Sequence, residues 1–194
     1  MNSSATIIDV LRPARVQTGL AYNAITMLFA TVVLAISAQI AFAIPISPVP
    51  VTGQTFAVLL VGAVFGPVRG GAVILMYLAE GISGLPVFAN GGFGPAYLVG
   101  PTGGYLISFV PAAVIVGYLA ERGWDRRLVT TFAAMALGTA IILLGGTSWL
   151  TLTTQRTDIL SIALYPFLPG AVIKIVAAAG LLPTVWKFVD RQSD

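Results

Sequence analysis

Long apolar runs, separated by short polar segments, dominate the pattern of this chain. A helix needs about 20 residues to cross the hydrocarbon core of a bilayer, and runs of roughly that length recur along the sequence. The predicted transmembrane helices are Leu20–Ile44, Thr55–Phe65, Gly70–Phe88, Tyr105–Ala120, Leu128–Leu150 and Phe167–Trp186. The pattern therefore predicts an all-α integral membrane protein, a six-transmembrane-helix bundle that forms one membrane domain over residues 1–194.

Composition supports the membrane assignment and excludes several kinds of site. Only 9% of the 194 residues are charged and 57% are hydrophobic, whereas about a quarter of an ordinary soluble domain is charged. The chain has no Cys and no His, which excludes disulfides, thiol nucleophiles and the usual zinc ligands. With only seven acidic residues, we expect no carboxylate metal site. We also expect no enzyme, because Lys174 and Glu80 are the only intramembrane ionisable candidates and form no nucleophile–base pair.

The basic residues predict how the helices are oriented. Cytoplasmic loops of membrane proteins carry an excess of Lys and Arg. With six helices and a cytoplasmic N-terminus, the outer loops hold only Arg156. The inner segments hold Arg12, Arg15, Arg69, Arg122, Arg126, Arg127, Lys187 and Arg191. Both termini are therefore predicted in the cytoplasm, and the net charge of +3 reflects topology rather than nucleic-acid binding.

The predicted outer loops differ from ordinary solvated linkers. The segments 45–54 and 84–104 are rich in Pro and Gly, carry almost no charge and contain many apolar residues. Irregular backbone near membrane depth is tolerated where it is buried in protein or lines a cavity. We therefore expect these structured loops to fold back onto the outer face of the bundle as a lid.

Two ionisable residues lie inside predicted helices. Lys174 interrupts an apolar run, and a lysine at a helix centre costs roughly 2.5–3.5 kcal/mol on insertion scales. It either binds an anionic partner or extends its stem towards the outer interface. Glu80 lies about two turns from the outer end of the third helix, where it is protonated, paired, facing a wet cavity or bonded to neighbouring backbone.

Several loop residues are candidate ligand contacts, each with a structural alternative. Gln54 presents a donor and an acceptor, but its segment is also a rigid turn with Thr52 as a helix N-cap. Asn90, in an Asn-Gly-Gly run, suits close approach to a ligand or simply a tight turn. Phe88 either walls an apolar ligand or belongs to the interfacial aromatic belt. No phosphate-binding loop occurs, so ATP hydrolysis by this chain alone is not expected.

Taken together, these segments resemble the BioY family, the biotin-binding S-components of energy-coupling-factor vitamin importers. The stretches that carry the resemblance are PVPVTGQT (48–55), GPVRGG (66–71), GLPVF (84–88), GPTGGYL (100–106) and PFLPG (166–170), followed by Lys174. The resemblance implies a six-helix bundle that holds the vitamin near the outer face, under the first, third and fifth loops.

The resemblance also implies roles for individual residues. Gln54 and Asn90 offer amides to a ureido ring, and Phe88 and Tyr105 pack against the bicyclic ring. Lys174 binds either the valerate carboxylate or the ureido oxygen, and the sequence leaves both poses open.

The chain departs from the family pattern at two places. It has Ala171 where the family commonly places an Asp before the lysine, and Glu80 is the hypothetical substitute partner. The first helix has no Ala-x-x-x-Ala stripe for docking on the coupling subunit, and only Thr26 and Ala30 keep a small pair.

The implied function is high-affinity capture and import of biotin across the bacterial cytoplasmic membrane. The resemblance implies a membrane coupling subunit and ATPase subunits as partners, with no cofactor in this chain. Whether transport also occurs without them is left open. The alternatives are an S-component for another vitamin, a membrane-embedded enzyme and a structural membrane subunit.

Overall fold

The computed structural model describes residues 6–11, 19–154 and 156–191, and it is mostly helical. Two of the basic residues used to predict the orientation, Arg12 and Arg15, lie outside the described residues. The helices are α1 (Ile7–Val10), α2 (Gly19–Gln39), α3 (Gln54–Ile82), α4 (Pro95–Val99), α5 (Gly103–Ala120), α6 (Leu128–Thr153), α7 (Ile159–Ala163) and α8 (Leu168–Arg191). A two-residue strand, β1 (Ala41–Phe42), pairs antiparallel with β2 (Val51–Thr52).

Five of the described helical segments are long and apolar enough to cross a membrane. They are Gly19–Gln39, Gln54–Ile82, Gly103–Ala120, Leu128–Thr153 and the combined stretch Ile159–Val189. The predicted helical membrane architecture is therefore confirmed at this level. Five segments are found rather than six helices because the second and third predicted helices form one segment, interrupted at a single residue.

That residue is Gly66, where α3 folds back on itself. Its φ of 78° and ψ of −179° are not helical, and glycine adopts this positive φ without a steric penalty. The Gln54 amide hydrogen-bonds the Tyr77 hydroxyl 23 residues away, although a straight helix would hold these residues about 35 Å apart. Thus α3 consists of two antiparallel arms, 54–65 and 67–82.

Small residues allow the arms of α3 to pack closely against α5. A Cβ on Gly62 would lie 2.5 Å from the carbonyl oxygen of Ala113, and one on Gly117 would lie 2.5 Å from the nitrogen of Pro67. These neighbours are backbone atoms, which do not rotate away as a side chain does. Glycine at both positions is therefore a requirement of the packing.

Two predicted helices end earlier in the structure than in the sequence prediction. Helix α2 ends at Gln39 rather than Ile44, because the chain beyond it pairs as β1. The second arm of α3 ends at Ile82 rather than Phe88. Gly84 follows with a φ of 107°, a left-handed conformation that terminates helices.

One end of the bundle, here called the arginine end, is formed by α1, the turn at Gly66 and the segment 121–127. It carries Arg69, Arg122, Arg126 and Arg127. Arg69 forms an ion pair with Asp9 at 2.7 Å and fastens α1 to the second arm of α3. Trp186 donates its indole N–H to Asp125 at 2.6 Å and joins α8 to the α5–α6 connection.

The opposite end, here called the loop end, carries the segments 40–53 and 83–102. The Gln39 side chain donates to the carbonyl oxygen of Phe88 at 3.1 Å and accepts from the backbone N–H of Gly91 at 3.0 Å. The indole N–H of Trp149 donates to the carbonyl oxygen of Gly100 at 3.0 Å. The expectation that these loops fold back onto the bundle is confirmed.

Candidate functional site

A cavity lies under the two loops, between the first arm of α3, α5, α6 and α8. Its volume is about 50 Å³. Its wall is formed by Val49, Pro50, Val51, Thr52, Gln54, Thr55, Ala89, Tyr97, Thr102, Tyr105, Leu106, Phe109, Thr139, Ile142, Leu143, Phe167, Ala171 and Lys174. The fold thus brings three of the predicted site residues, Gln54, Tyr105 and Lys174, to one cavity.

Lys174 joins α8 to the start of α3. Its ammonium donates to the carbonyl oxygen of Thr52 at 2.6 Å and to the hydroxyl of Thr55 at 2.8 Å. The side chain is half-buried and lines both the cavity and a second, apolar groove between α2, α3 and α8. Lys174 therefore forms part of the wall between the cavity and this lateral groove, and its head group is held inside the bundle.

Gln54 is almost fully buried, and its amide is held on both sides. Its Nε2 donates to the Tyr77 hydroxyl, and its Oε1 accepts from the Thr52 hydroxyl at 3.3 Å. Tyr77 in turn donates to the carbonyl oxygen of Val87 at 2.7 Å. These bonds orient the amide and link the cavity to the loop that covers it. The N-cap of α3 is Gly53, not the predicted Thr52.

An aromatic wall completes the lower part of the cavity. Tyr105 is 6% exposed, and its hydroxyl donates to the carbonyl oxygen of Ala163 at 2.6 Å. Its ring lies 5.6 Å from that of Phe167, at an interplanar angle of 34°. Because the Tyr105 hydroxyl is committed to the backbone, the ring presents an apolar face to the cavity.

Phe88 is fully buried behind this wall and does not line the cavity. Its ring stacks on Tyr97 at 5.1 Å and meets Tyr77 edge-on at 5.6 Å. It also fills the space next to Gly81, where any Cβ would overlap the ring. In this structure Phe88 anchors the loop 83–102, and the residue of that aromatic cluster that reaches the cavity is Tyr97.

Tyr97 belongs to α4, outside the long apolar helices. Burial raises the pKa of its hydroxyl above the ordinary value, and a hydrogen bond from Thr102 offsets only part of that rise. The hydroxyl is therefore protonated at neutral pH and donates to the carbonyl oxygen of Ala89 at 3.2 Å. This hydrogen bond joins two parts of the loop 83–102, which covers the cavity, and involves no charged group.

Asn90 lies at the outer surface rather than in the cavity. It has a φ of 57°, a left-handed conformation that Asn tolerates better than most residues. It lines a shallow depression with Pro48, Pro50 and Pro101. The structure does not bring Asn90 to Gln54, and its conformation suits the tight turn that the sequence also allowed.

The hypothesis that Glu80 is the partner of Lys174 is wrong in this structure. The Glu80 carboxylate accepts a hydrogen bond from the Thr31 hydroxyl at 2.9 Å. It lines a different groove, between α2 and the second arm of α3. The second arm carries Glu80 towards α2, whereas Lys174 faces the first arm.

The predicted docking pair on α2 is split between two environments. Ala30 is 4% exposed and lines the lateral groove. Thr26 is half-buried and donates to the carbonyl oxygens of Tyr22 and Asn23 in its own helix, at 2.8 and 3.1 Å. The described residues therefore do not present Thr26 and Ala30 as one open stripe.

Sequence reasoning missed several cavity residues. Thr52 and Thr55 lie in the same motif as Gln54. The motif did not show that they are the hydrogen-bond acceptors of Lys174. Phe167 lies in the PFLPG stretch, which had not identified it as a cavity residue, and Thr139 carried no motif signal. Thr139 lies in an uninterrupted apolar helix, and only the packing of α6 against α5 shows which face of that helix meets the cavity.

The arrangement suits binding rather than catalysis. Within the described part of the chain, no cluster of three potential metal ligands occurs. The cavity offers one cation, one amide, several hydroxyls and aromatic rings. These groups match a small ligand with apolar rings, neutral polar atoms and one negative charge.

Comparisons with known proteins agree with this description. The family model described as "BioY family" matches residues 10–191. "Biotin transporter BioY" of Rhizobium etli is 32% identical over 166 residues, which cover 80% of this chain and 87% of the relative. "Biotin transporter BioY" of Thermotoga maritima is 38% identical over 137 residues, which cover 70% and 80%.

A solved structure shares the fold. The crystal structure of "the S-component for biotin from an ECF-type ABC transporter" matches with a TM-score of 0.75 and 23% identity, over 90% of this chain and 95% of that one. At this identity the likeness shows the fold alone. The family match and the two relatives establish the family: this chain belongs to the BioY family.

Proposed function

We propose that this chain captures biotin at the outer face of the bacterial cytoplasmic membrane and imports it as the substrate-binding S-component of a vitamin transporter. The observation that carries the proposal is the cavity at the loop end, with Lys174 in its wall, in a member of a family whose relatives are named biotin transporters. The chain is a transporter component and not an enzyme.

The cavity residues complement the parts of biotin. An unpaired polar group buried away from water costs about 1–3 kcal/mol, so the ureido ring needs donors and acceptors. Gln54 supplies both from a fixed position. Tyr105 and Phe167 provide apolar faces for the bicyclic ring, and Lys174 provides the positive charge.

Binding requires the cavity to enlarge. A volume of about 50 Å³ is well below the roughly 300–1,000 Å³ of pockets that bury small ligands. The cover is held by hydrogen bonds between uncharged groups, such as those of Gln39 and Tyr97. We propose that the loops open to admit biotin and then close over it, with Asn90 and Phe88 reaching the ligand in the rearranged state.

We further propose a single membrane domain with six crossings, in which each arm of α3 crosses separately. The fold-back at Gly66 supports this count, because it places the start and the end of α3 together at the loop end. The basic residues Arg69, Arg122 and Lys187 favour a cytoplasmic arginine end.

The partners we propose are a membrane coupling subunit and ATPase subunits of an energy-coupling-factor module. Helix α2 has the most outward-facing surface of the long helices, since only 17% of its apolar window is buried. It is therefore the candidate docking helix, with Thr26 and Ala30 near its centre. ATP hydrolysis is assigned to the partners, and no cofactor is proposed for this chain.

Biotin binding by the purified full-length chain in detergent tests the function. We expect saturable calorimetric binding, weakened roughly 10- to 150-fold in Lys174→Met, which is the range for hydrogen bonds to charged groups. Methionine is unbranched and only one heavy atom shorter than lysine, so it keeps most of the wall towards the lateral groove. Lys187→Met, the same change on an exposed side chain at the arginine end, should bind as the parent does.

Two outcomes would contradict the proposal. If the chain binds no biotin but another vitamin raises its unfolding temperature, the substrate is wrong. If biotin binds and both lysine variants retain full affinity, the cavity is not the site.

A further inference from the structure

The side-chain amide of Gln54 belongs to a chain of hydrogen bonds that begins and ends at the backbone. The backbone N–H of Gln54 donates to the Thr52 hydroxyl at 3.3 Å, and that hydroxyl donates to the Oε1 of Gln54 at 3.3 Å. The Nε2 of Gln54 donates to the Tyr77 hydroxyl, which donates to the carbonyl oxygen of Val87 at 2.7 Å. The chain therefore runs from a backbone donor to a backbone acceptor.

The direction of this chain is fixed, because a backbone N–H only donates and a backbone carbonyl oxygen only accepts. The single proton of the Tyr77 hydroxyl is used by Val87, so the Tyr77 oxygen can only accept a hydrogen bond from Gln54. A flipped amide would place its own oxygen against the Tyr77 oxygen, with no proton between them. The Nε2 end of Gln54 must therefore face Tyr77.

This orientation decides which end of the amide serves the cavity. Tyr77 is fully buried and does not line the cavity, whereas Thr52 forms part of its wall. The nitrogen end of the Gln54 amide is thus turned away from the cavity, and the oxygen end is held on the side of Thr52. Gln54 itself lines the cavity, and the group that it offers there is its carbonyl oxygen, a hydrogen-bond acceptor.

We propose that Tyr77 is a positioning residue, which acts through Gln54 and makes the cavity selective for ligands that carry an N–H donor. The inference rests on the proposed function and narrows the role of Gln54 in it to that of an acceptor. In biotin the matching donor is one of the two ureido N–H groups. A ligand without that N–H leaves a buried acceptor unpaired and is therefore rejected.

The test compares biotin with its two lactam analogues, in each of which one ureido N–H is replaced by CH2. The shape and the charge of biotin are retained, and only one donor is missing. The full-length chain in detergent should bind one of the two analogues roughly 5- to 150-fold more weakly than biotin, because a buried acceptor loses its partner.

Substitutions distinguish positioning by Tyr77 from structural support. Tyr77→Phe lets the Gln54 amide present either end, so the preference for biotin over that analogue should largely disappear. A purely structural loss would weaken both ligands by the same factor and leave the preference unchanged. Gln54→Leu removes the acceptor and should abolish the preference as well. Tyr22→Phe removes a hydroxyl that donates to the backbone carbonyl oxygen of Ile8 at the arginine end, and it should keep the preference of the parent.

Each outcome bears on a different step of the inference. Equal affinity of the unaltered chain for biotin and both analogues would overturn the acceptor role of Gln54, as would a preference that survives Gln54→Leu. A preference that survives Tyr77→Phe would overturn the role of Tyr77. Unfolding temperatures show whether each variant is folded, and the analogues with Gln54→Leu test the acceptor role even if Tyr77→Phe does not fold. If the unaltered chain does not bind biotin, the proposed function itself fails.

Discussion

The two ends of the bundle are closed in different ways. At the arginine end, short turns bring charged side chains together: Asp9 pairs with Arg69, and the carboxylate of Asp125 accepts the indole N–H of Trp186. At the loop end, the cover is held by amides, hydroxyls and backbone groups, and Lys174 is the charged residue of the cavity there.

This difference separates a fixed end from an adaptable one. Hydrogen bonds between neutral groups contribute about 0.5–1.5 kcal/mol each, so a loop held by a few of them opens at moderate cost. Close backbone packing does not yield in this way, because a protein interior has few voids to absorb a shift. The candidate cavity accordingly lies under the end with the weaker closure.

The strongest way to disturb the arginine end is to separate α5 from the turn at Gly66. Gly117→Ala puts a methyl group 2.5 Å from the nitrogen of Pro67, and overpacking of this kind costs about 1–3 kcal/mol. At about 2–4 °C per kcal/mol, the apparent unfolding temperature should fall by roughly 2–12 °C.

Gly180→Ala is the matched control for that substitution. A Cβ on Gly180 meets nothing within 4 Å, and alanine favours a helix over glycine by up to about 1 kcal/mol. Its unfolding temperature should be unchanged or higher. Equal losses in both variants would mean that α5 and the turn at Gly66 are not packed as described.

The loop end should respond in ligand kinetics as well as in stability. Gln39→Leu removes both bonds that hold the loop at Phe88 and Gly91. Two neutral hydrogen bonds correspond to roughly 1–2 kcal/mol, so bound biotin should dissociate roughly 5- to 30-fold faster. By the same conversion, the unfolding temperature should fall by roughly 2–8 °C at most.

Ser37→Ala is the control on the same helix, because the Ser37 hydroxyl donates only to the carbonyl oxygen of Leu34 within α2. Labelled biotin chased with excess unlabelled ligand gives the dissociation rates. A Gln39 variant that releases biotin as slowly as the Ser37 variant would show that this amide does not hold the lid.

The smallest expected effect is on stability, from two carboxylates at the arginine end whose pKa values shift in opposite directions. Burial acts to raise the pKa of Asp9, but hydrogen bonds from Arg69 and Thr6 outweigh it, and the net pKa is lowered. For Asp125 burial dominates and the pKa is raised, although Trp186 and Arg126 act against it.

The two shifts give opposite signs of pH dependence. The lowered pKa means that Asp9 stabilises the fold above its unfolded value of about 3.9, and this contribution is lost as pH falls through the folded pKa. The raised pKa means that ionised Asp125 costs stability at neutral pH. This cost begins to fall as the pH drops through the folded pKa and is gone below the unfolded value.

Asp9→Asn should therefore be slightly less stable than the parent at pH 7, by about 0.2–1 kcal/mol for a partly exposed pair. Asp125→Asn should be at least as stable as the parent, because an Asn side-chain oxygen still accepts from Trp186. In thermal unfolding series taken to lower pH, the Asp125 difference should shrink as the pH falls through its raised pKa. The Asp9 difference should persist to about pH 4 and shrink below it, because its pKa is lowered. The same sign in both variants at pH 7 would contradict these assignments.

Much of the fold was predictable because it follows from local composition. The long apolar runs located α5, α6 and α8 to within a few residues at most ends. The errors fall where the chain leaves the helix for tertiary reasons. α2 stops at Gln39 because the next residues pair as a strand, and α3 reverses at the single residue Gly66 rather than in a loop.

The site was predictable only in part, and for a similar reason. Gln54 and Lys174 stand out because polar side chains are rare in apolar segments. Phe88, Asn90 and Glu80 stand out for the same reason or by their turn motifs, yet the fold directs them to an anchor, a surface turn and a separate groove. The rarity of a residue does not reveal the direction of its side chain.

The sequence by itself determined that this is a helical membrane protein of the BioY family, with a lysine whose charge requires a partner. The length of the apolar runs determines that the chain lies in a membrane. The residue types determine which charged and polar groups are available for binding. Only the tertiary structure decided that Lys174 bonds Thr52 and Thr55 and that Glu80 faces Thr31. Such pairings depend on how the arms of α3 pack against α2 and α8, over separations of up to 122 residues that local pattern does not encode.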